Sequence, residues 1–273
     1  MVVFLNRDRE TDLQFIKDYK PTADDQQKFR ILLHGLVGAG KSSLICSILS
    51  VLEGRVRVRA AVCNIGQDSF TKEVNRKYFS LIRTKGEMYP IVLNDMMGME
   101  TSNRRHRRVY VRNVEMALQG HIMDGYTFNC EKCLSKTDQF YNKTPTVNDQ
   151  VHVLVSVIDA DKINLLGNST LEKFQDMRDD ATDQGIPNVV ILTKIDELCP
   201  ETQKDLKNVC RSRLIKQKVN YFFKMLGIPE NFIFPVKNYC TERSLDKDMN
   251  ALLLNTLRRI IEIGEEHLTN KRM

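Results

Sequence analysis

The segment Gly35-Leu36-Val37-Gly38-Ala39-Gly40-Lys41-Ser42 fits G-x-x-x-x-G-K-[ST], and each fixed position has a physical task. Gly35, Gly38 and Gly40 let the backbone curl tightly and turn its N–H groups toward phosphate oxygens. Lys41 supplies a mobile cation for the terminal phosphates, and the Ser42 hydroxyl can ligate Mg²⁺. Gly38, Ala39, Gly40, Lys41, Ser42 and Ser43 therefore form the candidate phosphate cradle.

Two further motifs bear on which nucleotide the loop would serve. Asp95-Met96-Met97-Gly98 is a D-x-x-G, in which Asp95 supports the metal through water and the Gly98 N–H meets a γ-phosphate. Thr193-Lys194-Ile195-Asp196 fits [NT]-K-x-D. The Asp196 carboxylate can accept from both the ring N–H and the exocyclic amine of guanine, while the Lys194 stem lies along the base. Adenine has no such donor pair, so ATP is expected to be rejected. If Asp196 is incidental, an ATPase or small kinase is the competing reading. Lys237-Asn238-Tyr239 occupies the place of the loop that meets the guanine oxygen through backbone N–H, with Asn238 the candidate, although it lacks the common Ser-Ala-Lys form.

Thr71, in Ser69-Phe70-Thr71-Lys72-Glu73, is the candidate switch threonine, a second Mg²⁺ ligand and with Lys41 a candidate catalytic group. Ser69 and Thr84 are its rivals. Where many small GTPases carry a water-orienting glutamine, this chain has Met99, followed by Glu100. Hydrolysis should then be slow or borrow a group. Arg104, Arg105, Arg107 and Arg108 offer an arginine finger, across a dimer for instance, or simply a solvated face; nucleic acid is not the expected partner. Cys130-Glu131-Lys132-Cys133 lacks a second pair at zinc spacing, with only His121 nearby. His34 reads as a strand residue rather than a catalyst.

The positioning elements follow from periodicity. Phe29–His34 reads as a buried strand entering the loop; Leu44, Ile45, Ile48, Leu49 and Leu52 then recur at helical spacing before a capping Gly54. Strands are also expected at Arg55–Arg59, Tyr89–Asp95, Val151–Ile158, Asn188–Thr193 and Asn231–Val236. Helices are expected at Ser169–Gln184, at Lys204–Leu226 as the longest, and after a capping Ser244. This alternation predicts an α/β fold, a mostly parallel sheet with helices on both faces. Residues 1–27 read as an N-terminal extension packing loosely on a main domain of 28–273.

The 273 residues can bury one large core, and no apolar run approaches a membrane span. The N-terminus lacks a secretory apolar core, and neither end carries a lipidation signal. Seven scattered cysteines suit free thiols in a reducing compartment, so the cytoplasm is expected. A net charge of +6 is a weak pointer to an anionic partner.

Gly38-Ala39-Gly40-Lys41-Ser42-Ser43, Asn94-Asp95-Met96-Met97-Gly98-Met99-Glu100 and Leu118-Gln119-Gly120-His121 together resemble the interferon-induced protein 44-like family of GTP-binding proteins, from about Lys28 to Leu268. The resemblance implies a Ras-like G domain, a cytoplasmic setting and a role in innate antiviral response; the motifs above add the expectation of a P-loop NTPase that holds GTP or GDP with Mg²⁺. A nucleotide-dependent switch is the leading expectation, with a homodimer or a protein effector as possible partners. The alternative is an interaction scaffold that holds nucleotide without turning it over.

Overall fold

The computed structural model describes residues 9–22, 28–57, 78–82, 88–100, 103–162 and 167–272. A six-stranded sheet runs in the order β2-β3-β1-β4-β5-β6. Its strands are β1 (Phe29–His34), β2 (Tyr78–Ile82), β3 (Met88–Asp95), β4 (Val153–Asp159), β5 (Asn188–Thr193) and β6 (Ile233–Pro235). Five are parallel, and only the edge strand β2 runs antiparallel, against β3. Order and direction give the α/β fold of a P-loop NTPase with the Ras-like topology expected above.

Every residue of β1 and β4 is buried, as central strands covered on both faces must be. The two faces can be told apart by alternation along β1. Phe29 meets Tyr19 edge-on, with ring centroids 5.9 Å apart, and the Tyr19 hydroxyl bonds Glu265 of α8 (Lys247–Arg272). His34, of opposite parity, lies 5.3 Å from Phe174 of α4 (Asn168–Asp183). The helix α2 (Lys41–Glu53) packs on the α8 side, and α3 (Arg104–Leu118) and α7 (Arg213–Leu226) pack with α4.

Several expectations need correction. Arg55–Arg57 are not a strand: Gly54 ends α2, the Arg57 N–H donates to Ser50 Oγ, and its guanidinium folds back onto Glu53. The remaining two residues of that expected strand lie outside the described residues. The edge position belongs instead to β2, which the periodicity did not single out. The expected helix over 204–226 is broken. Asp205 turns extended and its side chain accepts from the Lys207 N–H, and Ser212 then caps a fresh start to α7 by accepting from the Ile215 N–H. Two short helices, α5 (Ile195–Leu198) and α6 (Pro200–Lys204), precede that break. The longest helix is α8, and its start is capped by Asp246, whose Oδ1 accepts from Asp248 and Met249, not by Ser244.

A loose fit does not describe the N-terminal segment. Its helix α1 (Arg9–Asp18) buries Ile16 and Asp12 against α8, where the Asp12 carboxylate takes the Arg258 guanidinium (3.0 Å) and the Asn255 amide (3.2 Å). Among the described residues, no helix is long and apolar enough to cross a membrane.

Candidate functional site

Parallel register brings the site together. Leu33 lies opposite Asp95, His34 opposite Ser156, and Asp159 opposite Thr193, so β1, β3, β4 and β5 end along one edge of the sheet. In open α/β sheets that carboxyl edge is where ligands sit.

The phosphate loop leaves β1 at Gly35, where an added Cβ would stand 2.1 Å from the Val157 carbonyl oxygen, a contact no side chain survives. The Gly35 N–H donates to the buried Tyr110 hydroxyl of α3 (3.0 Å), an anchor that no sequence motif marks. Gly38 and Gly40 take positive φ values of 78° and 89°, turning the chain into α2. Lys41 is buried at the start of that helix, its ammonium donating to the carbonyls of Gly35 (3.1 Å) and Leu36 (3.0 Å). The N-terminus of α2 has no side-chain cap and no acidic residue in its first turn. No side chain of the helix itself offsets its positive end, which suits an anion.

Ser42 Oγ donates directly to Asp95 Oδ2, joining the first turn of α2 to the end of β3. A hydroxyl and a carboxylate are hard oxygen donors, the set that Mg²⁺ takes. Beyond Asp95 the chain runs beside the phosphate loop: Met99 N–H donates to Gly35 O (2.9 Å) and Val37 N–H to Met99 O (3.3 Å). Gly98 lies so close to Val37 that a Cβ there would be 2.6 Å from the Val37 Cα. Met99 is buried in this clasp, and Glu100 bonds His106 (2.7 Å). Thr71 and its rivals Ser69 and Thr84 lie outside the described residues. Arg104, Arg105 and Arg108 are exposed on the first turns of α3, after the capping Asn103.

The second half of the site is tied to the first. Thr193 Oγ1 donates to the Ala39 carbonyl (2.7 Å), and the Asn238 side-chain amide donates to the Gly40 carbonyl (3.2 Å). Both side chains thus brace the phosphate loop. Lys194 adopts φ 58° and reaches back to Asp159 Oδ2 at 2.8 Å. Burial works against its charge, but the Asp159 hydrogen bond prevails and holds the ammonium above its ordinary value. Asp196 stands largely buried with Lys237 Nζ at 3.7 Å from its Oδ2. Lys237 also pairs with Glu242 at 3.0 Å, which offsets its burial and again raises its ammonium.

Asp159, Lys237 and Glu242 are the charged residues that sequence reasoning passed over as site groups. Asp159 left one signal, a carboxylate at the carboxyl end of a buried strand, as in Asp95. His34 is an interior residue, bonded through Nε2 to Ser156 Oγ at 2.6 Å. Burial, followed by the Lys41 charge, presses its pKa to about 3. Cys130 and Cys133 are free thiols; Cys133 donates to the Val109 carbonyl, and His121 stacks on Tyr141 while bonding Asn142.

The resemblance read from the sequence holds in comparison with known proteins. The chain is 31% identical over 254 residues to human interferon-induced protein 44-like, covering 93% of this chain and 55% of that protein. It is 29% identical over 256 residues to mouse interferon-induced protein 44, covering 94% and 59%. It is thus homologous to the interferon-induced protein 44 and 44-like proteins along nearly all its length, while spanning little more than half of theirs. No protein-family model matches the chain. Among solved structures, a probable GTP-binding protein aligns at 15% identity with a TM-score of 0.46, covering 87% of this chain and 99% of its own.

Proposed function

We propose that this homologue of the interferon-induced 44 proteins is a GTP-binding switch with weak or partner-stimulated GTPase activity. The observation that carries the reading is the union of two motifs by hydrogen bonds. Thr193, which opens the T-K-x-D, donates to the Ala39 carbonyl of the phosphate loop, which supports reading the two motifs as parts of one cradle for base and phosphates. Within it, Gly38 to Ser43 would receive the phosphates, Lys41 would neutralise the outer ones, and Gly98 would donate to the last. Lys194 would lie along the base, Asn238 would lend its loop's backbone, and Asp196 would accept from the guanine edge.

Ser42 and Asp95, with Thr71, would hold Mg²⁺, which when bound neutralises charge on the outer phosphates. The unit that does this is taken as residues 28–273, with 1–27 as an extension. A cytoplasmic setting fits the free cysteines, and an antiviral role is carried over from the relatives' names. Partners would be an effector protein or a second copy that reads the bound nucleotide.

Met99 favours weak turnover. A buried thioether whose backbone is clasped to the phosphate loop cannot orient a water as a glutamine does. The same observation supports a second reading, a scaffold that binds GTP without hydrolysing it. Phosphate release from GTP on purified protein, with Lys41→Ala as control, separates the two: release absent in the variant and slow in the native chain supports a GTPase. Release equal in both leaves only the scaffold. For the base, Asp196→Asn should weaken GTP by at least tenfold and improve xanthosine triphosphate, which presents an acceptor where guanine has its amine. An unchanged preference in that variant would move the base elsewhere.

A further inference from the structure

Lys237 follows the last strand, on the loop assigned above to the purine edge, and its ammonium stands between two carboxylates. It lies 3.0 Å from Glu242 Oε1 and 3.7 Å from Asp196 Oδ2. The other oxygen of Glu242 accepts the backbone N–H groups of Cys240 (2.8 Å) and Thr241 (3.1 Å). Glu242 therefore closes the 237–242 turn upon itself and at the same time fixes where Lys237 can reach. Asp196 lies in the first turn of α5, just past the end of β5, and the parallel pairing of β5 with β6 brings that end beside the loop that carries Lys237. All three side chains are about three-quarters buried, so the pairing is not that of freely solvated surface charges.

We propose that Lys237 and Glu242 are positioning residues for base selection: Glu242 anchors Lys237, and Lys237 pins the Asp196 carboxylate to face the purine edge. This inference rests on the guanine reading of the site. A carboxylate offers about four lone-pair positions. One directed at Lys237 leaves enough for the paired N–H donors of guanine. Pinning matters most for the wrong base. Adenine would set a ring-nitrogen lone pair against the carboxylate, and a free side chain could swing away from that repulsion. A held one cannot, so the clash persists and discrimination rises.

The test is titration of the full chain and its variants with GTP, ATP, ITP and inorganic pyrophosphate. Lys237→Met should weaken GTP about three- to tenfold, leave pyrophosphate unchanged and lower the preference for GTP over ATP and ITP. Glu242→Gln should act in the same direction to a smaller extent, and Lys237→Arg should retain most of the preference. Unaltered pyrophosphate binding shows that the variants keep the phosphate loop, so a general loss of structure would be visible. If native protein prefers GTP and Lys237→Met prefers it equally, or binds it more tightly, the positioning role is overturned while the guanine reading stands. If native protein does not distinguish GTP from ATP, the guanine reading fails first, and this inference with it.

Discussion

Lys194 is the one described non-glycine residue with positive φ, at 58°, a conformation that costs an L-residue roughly 1 kcal/mol. It is kept because the bend sends its side chain back to Asp159, which caps β4 directly opposite Thr193. The pair sets the lysine stem beside the place assigned to the base. Asp159→Asn removes the charge that holds it, and we expect GTP and GDP to bind about fivefold more weakly with the melting temperature little changed. Titration with a fluorescent guanine nucleotide would check this, and unchanged affinity would make the pair structural only. The motif residues Lys41, Ser42, Asp95, Thr193 and Asp196 were legible in the sequence because each sits at a fixed spacing with its own chemistry. Asp159 was not, because its partner is set by strand register, which is invisible until β4 and β5 are known to be neighbours.

At the scale of elements, parallel strands with both faces covered were the readily legible part, since continuous apolar runs such as Val189–Leu192 have few other uses. The errors have physical causes. Arg55–Arg57 alternate like a strand, but the glycine that ends α2 and the Glu53 carboxylate draw them back onto the helix. The helix expected over 204–226 broke because Asp205 and Ser212 prefer capping to helix interiors. Within the sheet, His34 links β1 to β4 and packs on α4 in its neutral form. An unfolded histidine takes a proton near pH 6.5, whereas here it resists to about 3. Between those values the unfolded chain binds more protons, so stability is full above 6.5 and is lost as pH falls through this window. From pH 6.5 to 5 the loss from this group should be about 2 kcal/mol. Urea unfolding of native protein and His34→Asn at the two pH values would show it, with the variant's slope the flatter. Equal slopes would contradict the buried neutral state.

For the whole molecule, α1 and α8 couple the N-terminal segment to the sheet. Asp12 is almost wholly buried, and Arg258 serves it while stacking over Phe15 at 4.5 Å and bonding Glu262. Arg258→Met leaves a buried carboxylate whose remaining side-chain partner among the described residues is Asn255, which should cost about 3–5 kcal/mol and lower the melting temperature by several degrees. Nucleotide affinity should survive at temperatures where the variant remains folded, because Asp12 and Arg258 make no hydrogen bond to the phosphate loop among the described residues, and Tyr19 beyond α1 meets Phe29 at the opposite end of β1 from that loop. A melting temperature equal to that of the native chain would mean that the extension contributes nothing. The central claim, that one cradle takes phosphates at Gly38–Ser43 and a guanine edge at Asp196, is tested most directly by calorimetric titration of the native protein with GTP, GDP and ATP in Mg²⁺. The account predicts that both guanine nucleotides bind and that ATP binds at least a hundredfold more weakly. Equal affinity for ATP, or no binding by any of the three, would contradict it.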